Sequence, residues 1–300
     1  MPFIGELAAL ATSFFFSVGP TFFTLAGRLV GSVVVNRSRL VVAFGYLLIV
    51  HLALYGTLLP LDAEPDRWFW LGLSGLIGFV LGDAALFQAF IVIGTRLTML
   101  IFTVNPIIAS LLGWLFLEES LSPTQILGML ITLSGIAWVM LERNNSVQRE
   151  LTPKAYTTGI LLAVLAGAGQ AIGAVTAKLG LYGDFPPLSG QIIRISVAMV
   201  GIWALTFISG KARSTLQVLK DQPKAVKYIL VASFLGPFLG VFFSLVAIQN
   251  THVGIASTLM SLQPVFLIPI GYYFFKETIS VRSIIGTLIA ITGVAIIFLV

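Results

Sequence analysis

The chain has 300 residues, of which 58% are hydrophobic and only 10% charged, with a mean hydropathy of +1.02. A soluble domain carries about 25% charged residues, so this composition excludes a soluble enzyme or binding module and describes a polytopic membrane protein. The net charge of +5 would suggest a nucleic-acid partner in a soluble protein, but in a membrane protein basic residues gather in loops and set orientation, so none is expected here.

A hydrocarbon core of ~30 Å takes about 20 apolar residues per helix. Ten runs qualify: 3–26, 40–60, 68–90, 97–117, 122–141, 156–178, 189–209, 228–249, 253–275 and 282–300. Most connections are short, which makes neighbours antiparallel. The first run lacks a basic leader and a small-residue cleavage site, so it reads as a retained span. It holds Gly19-Pro20, an expected kink, and is followed by a polar turn with Arg28, Asn36, Arg37 and Arg39. The third is glycine-spaced, with Gly78 and Gly82 forming a GxxxG that lets helices approach closely; it also carries Asp83 and Gln88. The fourth contains Thr103-Val104-Asn105-Pro106 and ends at Glu118-Glu119, and Ser122-Pro123 then caps the fifth.

The polar stretch 142–154 bisects the chain. Beyond it, the sixth span is rich in small residues and contains Gln170 and Lys178, and the seventh begins near Gln191 and Arg194. After a basic connection, the eighth span has Gly236-Pro237, another expected kink. The ninth holds Ser261-Leu262-Gln263-Pro264 and ends at Lys276-Glu277.

The two proline tetrapeptides belong to an internal repeat. A shift of 158 residues lays Leu81–Leu141 on Leu239–Leu299 without a gap, with 15 of 61 positions identical. A shift of 155 pairs Arg39 with Arg194. Five spans per repeat is an odd number, so the second copy enters the membrane inverted. The fold expected is therefore all-α and polytopic, ten transmembrane helices as two inverted five-helix repeats, with residues 1–141 and 155–300 joined by the linker 142–154. Inverted repeats with matched helix breaks mark the midplane site of secondary transporters.

The identities Gly82, Pro106, Glu119, Ser122, Gly128 and Gly135, repeated as Gly240, Pro264, Glu277, Ser280, Gly286 and Gly293, resemble the two EamA domains of the drug/metabolite transporter superfamily. That resemblance covers nearly the whole chain. It implies a ten-helix carrier of small metabolites, often an exporter of amino acids or similar solutes. The first span departs from the family pattern: Phe16-Ser17 stands where many members carry Trp-Gly or Trp-Ser, and the late basic residue falls at Arg28, or at Lys178 in the second half.

Lys and Arg divide 14 to 3 in favour of the odd-numbered connections. The positive-inside rule puts those connections in the cytoplasm and both termini outside a cell inner (plasma) membrane.

Asp83 is the one acid deep in a span, and its cost at ~2.5–3.5 kcal/mol or more directs it to the interior as a proton, cation or amine site; the structural alternative pairs it with Lys178 or Arg194. Asn105 and Gln263 offer uncharged donors and acceptors at the two breaks, for a polar head group or only for the freed backbone. Gln88, Gln170 and Lys178 complete the candidate substrate-binding set, and Pro20, Pro106, Pro237 and Pro264 are the candidate hinges. Glu119 and Glu277 read as helix-junction residues, and His51 and His252 as lone histidines without metal-ligand spacing. The absence of Cys excludes a disulfide framework or a thiolate metal site. No G-x-x-x-x-G-K-[ST], H-E-x-x-H or G-x-S-x-G occurs, so no cofactor, metal, catalytic residue or ATP-binding motif is expected. The expected partners are a small-molecule substrate and the lipid bilayer, with the chain a monomer or weak homo-oligomer. The favoured function is a secondary transporter working by alternating access, in the export direction and with possible proton coupling. The rival readings are an intramembrane lipid-modifying enzyme, a lipid flippase or a channel.

Overall fold

The computed structural model describes residues 3–141, 152–275 and 280–299; Lys276, Glu277 and most of the linker lie outside them. Nine helices among these residues are long and apolar enough to cross a membrane. They are Ile4–Val30, Ser32–Tyr55, Pro65–Ile93, Leu97–Leu117, Pro123–Met140, Pro153–Gly180, Pro187–Ile208, Pro223–Asn250 and Val281–Phe298. The ninth span in chain order is the shorter apolar helix Val253–Pro269, which continues in helical form to Phe275.

Proline begins many of these helices. Pro65, Pro123, Pro153, Pro187 and Pro223 sit at first-turn positions, where the missing N–H has no intrahelical partner to lose. Ser122 adds a full capping box with Gln125. The polar turn expected after the first span is absent. The chain reverses on Gly31 alone, at φ 82°, and the second helix starts at Ser32. Asn36, Arg37 and Arg39 therefore lie inside a helix; arginine is a good helix former, and a single glycine suffices where φ is positive. A short helix, Ala212–Asp221, lies within the basic connection before the eighth span.

The 158-residue shift holds for structural events as well as identities. The third and eighth spans both open into a π-helical stretch, at Leu76–Gly82 and Phe234–Gly240. The first copy contains no proline, so Pro237 alone does not cause the widened turn; glycines at 78 and 82, and at 236 and 240, are common to both. The fourth and ninth spans both break, at Thr103 and at Ser261-Leu262. The kinks expected inside the helices at Pro106 and Pro264 are thus helix restarts. New helices begin at Val104 and Gln263, and each proline falls in a first turn, where it costs no hydrogen bond. Pro20 lies within the first helix, with its side chain outside the described atoms.

The repeats exchange their first helices. The sixth span packs on the third and fourth, and the first packs on the eighth and ninth. The second pairs with the seventh, the fourth with the ninth and the fifth with the tenth. Swapping the two repeats maps these pairings onto themselves. Close approach is carried by small residues. A Cβ on Gly169 would stand 3.2 Å from the Cα of Gly82, and one on Gly173 3.4 Å from the Cα of Gly78. The fifth and tenth spans are closer still: a Cβ on Gly293 would stand 2.4 Å from the Thr132 nitrogen, and one on Gly135 2.4 Å from the Ala290 nitrogen. Without a hydrophobic drive between helices in lipid, such backbone contact is what holds a bundle together.

Candidate functional site

Asp83 follows the first π-helical stretch and is buried, with 8% of its surface exposed. One carboxylate oxygen accepts from Arg39 Nη2 in an ion pair. The other accepts from Gln170 Nε2 at 3.0 Å. The same amide donates to the Gly78 carbonyl at 3.2 Å, one of the groups displaced by the wide turn. Gln170 reaches the acid because the exchanged sixth helix runs against the third.

Arg39 is buried and held from several sides. Its Nε donates to Asn36 Oδ1 at 2.8 Å, and its guanidinium lies 5.5 Å from the Phe87 ring centre and 5.9 Å from that of Phe23. Its repeat mate Arg194 comes from the seventh span to the same π-helical stretch, with its guanidinium 4.9 Å from the Phe79 ring centre. Its Nη2 and Gln170 Oε1 stand 3.8 and 3.9 Å from where a Cβ on Gly78 would be. Gly78 lies near the middle of the 29-residue third span, and two arginines, one aspartate and one glutamine converge around this stretch. A carboxylate and a carboxamide in an apolar surround can accept and donate hydrogen bonds to a polar ligand, and an intramembrane charge is by default a functional-site hypothesis.

The second repeat builds the matching place differently. Val241 takes the position of Asp83, and Phe16 approaches Gly240 where Gln170 approaches Gly82. The displaced carbonyls of Pro237 and Phe238 are met by Gln191, whose Nε2 donates to them at 2.6 and 2.8 Å.

The two helix breaks face a common small cleft. Thr103 and Phe102 line it from the fourth span, Ser261, Gln263 and Pro264 from the ninth, and Ile136 and Met140 from the fifth. Gln263 Nε2 donates to the Met260 carbonyl at 3.3 Å across its own break. Asn105 is half-buried, and its Oδ1 is enclosed without a hydrogen-bond donor among the described residues.

Other expected residues lie elsewhere. Gln88 is exposed and is not brought to Asp83; five residues along a helix turns a side chain to nearly the opposite face. Lys178 is remote from Asp83. Its Nζ pairs with Glu119 at 2.6 Å and donates to the Thr251 carbonyl at 2.6 Å. Glu119 Oε2 accepts from the Val253 N–H at 2.8 Å, and Thr251 Oγ1 donates to Glu6 at 2.7 Å. These residues line an open depression of about 590 Å³ at the end of the bundle that carries Glu6, with Gln249, Asn250 and His252 on its rim. His51 is structural: its ring nitrogens meet the Thr57 carbonyl at 2.7 Å and Ser189 Oγ at 2.9 Å. Among the described residues no cluster of His, Cys, Asp or Glu could hold a metal ion.

Arg39 is the site residue that reading the chain in order misses, because it sits among Arg28 and Arg37 and looks like a loop charge. The 155-residue shift that pairs it with Arg194 is the signal that singles it out.

No curated protein matches the sequence. Solved structures share the fold: one, titled only "Crystal structure of protein", aligns with a TM-score of 0.76 at 16% identity, over 99% of this chain and 96% of its own. The sequence profile of the EamA-like transporter family matches twice, over residues 3–141 and 157–299. With both repeats accounted for, the chain belongs to the EamA-like transporter family, a family of membrane transporters of the drug/metabolite type.

Proposed function

We propose that this protein is a secondary transporter that exports a small metabolite, an amino acid or similar solute, by alternating access. The observation that carries the reading is the placement of the two helix breaks, Thr103 and Ser261, on one cleft between inverted repeats. Freed backbone groups within a membrane persist only beside protein, water or a ligand, and breaks in matching places point to the site. Both repeats contribute to the wall, so rocking one against the other exposes the cleft to one side and then the other. Thr103–Pro106 and Ser261–Pro264 are where the chain bends, with the π-helical stretches as secondary points of give. The Lys and Arg distribution puts the depression lined by Glu119 and Lys178 on the external side. Asp83 is the coupling group: Arg39 and Gln170 hold its carboxylate, and a proton that neutralises it loosens that pair.

The native chain has no cysteine, so single-cysteine variants give a clean test. In proteoliposomes, Thr103→Cys and Ser261→Cys should react with a membrane-impermeant maleimide from both faces, and the side favoured should change when a solute or proton gradient is imposed. Reaction from one face only, whatever the gradient, removes alternating access. Asp83→Asn should abolish gradient-driven uptake, and transport that continues unchanged and independent of pH takes Asp83 out of the coupling.

A further inference from the structure

The basic connection between the seventh and eighth spans carries a surface of fixed shape. Residues 211–227 hold Lys211, Arg213, Lys220, Lys224 and Lys227 against the single acid Asp221. All five cations are exposed, and none takes part in the ion pairs formed among the described residues. Gly210, at φ 67°, turns the chain after the seventh helix, and Gln222, at φ −125°, precedes the eighth. Ala212–Asp221 is therefore a helix of its own that continues neither neighbour. One face of it is seated on the bundle. Thr215 is buried, and its hydroxyl accepts from Arg37 Nη1 of the second span at 2.8 Å. Val218 and Leu219 pack against a cluster that includes Ala26, Val35 and Ile229. The other face is open. Arg213, Leu216 and Lys220 follow one another at helical spacing, and all three are exposed.

This surface adjoins side chains that meet lipid. Phe207 and Ile208, at the end of the seventh helix, are 67% and 83% exposed, and Val200 and Leu205 are exposed along the same helix. Lys211 follows Ile208 by three residues, so fixed cations stand beside the place where acyl chains end. A free anion or an acidic protein would use the cations alone. A molecule with a negative head and an apolar tail uses both, and Leu216, 58% exposed between two of the charges, offers it a further apolar contact.

We infer that the helix Ala212–Asp221, with Lys224 and Lys227, is a docking site for anionic phospholipid. Basic clusters next to a membrane span gain about fivefold in affinity for anionic lipid per charge. The hydrogen bond from Arg37 and the packing of Val218 and Leu219 hold the helix in place, so headgroups bind without first ordering a loop. The other end of the bundle offers no such match, because the depression there carries Glu6, Glu118 and Glu119 against Lys178. Lipid docking here is independent of what the protein transports.

The test uses the purified full chain in detergent, with thermal unfolding followed as phosphatidylglycerol or phosphatidylcholine is added in mixed micelles. Phosphatidylglycerol should raise the unfolding temperature and phosphatidylcholine should not, and the difference should shrink at high salt. Lys220→Gln should need about fivefold more phosphatidylglycerol for the same rise, and Arg213→Gln/Lys220→Gln more than about tenfold. Both side chains are exposed and outside every ion pair among the described residues, so these variants should unfold at the wild-type temperature without lipid. Lys154→Gln removes one exposed cation from the start of the sixth helix, matches Lys220→Gln in charge and should leave the response unchanged. Leu216→Ser alters no charge and should weaken the response less than the double variant does. The inference is overturned if the two lipids act alike, or if Arg213→Gln/Lys220→Gln responds as the wild type does. It is also overturned if Lys154→Gln loses as much as Lys220→Gln, which would mean diffuse charge and no site. Inorganic phosphate should have no effect; a rise equal to that with phosphatidylglycerol would assign the surface to a free anion and remove the lipid.

Discussion

The two π-helical stretches occupy the same place in their repeats and are stabilised in different ways. Around Leu76–Gly82 the displaced carbonyl of Gly78 is met by Gln170, an amide that also holds Asp83. Around Phe234–Gly240 the carbonyls of Pro237 and Phe238 are met by Gln191, which is fully buried and touches no acid. One side is charged, with Arg39, Arg194 and Asp83; the other is apolar, with Val241, Phe16 and Phe238. Symmetry thus supplies the backbone distortion twice, and side chains make the surroundings of one copy polar and of the other apolar.

The difference between the copies is greatest at the charged one, and so is the expected effect of removing it. Asp83→Val makes the two copies alike and leaves Arg39 unpaired, which should cost about 3–5 kcal/mol and abolish gradient-driven uptake. The double variant Arg39→Leu/Asp83→Val should regain most of that stability and none of the transport. Chemical unfolding and proteoliposome uptake together check this, and a double variant as unstable as the single one would show that the pair is not the source of the loss. At the apolar copy, Gln191→Leu should cost about 1–3 kcal/mol by removing two buried hydrogen bonds. Its transport should persist with altered rate, because no charge is touched. The smallest effect belongs to a position where the copies are nearly equal. A Cβ on Gly19 would meet Gly236 at an ordinary 3.5 Å, so Gly19→Ala should change stability by less than about 1 kcal/mol. A larger loss would mean that the first and eighth helices are packed more tightly than the sixth and third.

Much of the architecture could be read in one dimension. Apolar runs of membrane length and a gapless 158-residue repeat mark out spans and breaks, because both follow from local composition and from duplication. The π-helical stretches have no such mark: Leu76–Gly82 is an apolar segment with two glycines, and nothing in its composition sets it apart from the helix around it. The site was half legible. Asp83 stands out by the cost of burying an acid, and Gln170 by its polarity in a run of small residues. Which partner meets Asp83 could not be seen, since Arg39 and Gln170 are 44 and 87 residues away in sequence. Lys178, a plausible counter-charge by composition, is taken by Glu119 instead, and Gln88 points outward because a helix turns by about 100° per residue.

The exchange of first helices has a consequence for how the protein is made. The third and fourth spans find their main partner in the sixth, which is synthesised only after the first repeat is complete. Until then Gly78 and Gly82 lack the glycines they pack against and Asp83 lacks Gln170, and the first helix waits longer still for the eighth. Neither repeat is therefore a finished folding unit, and biosynthesis holds five inserted helices open until the other five arrive to close them.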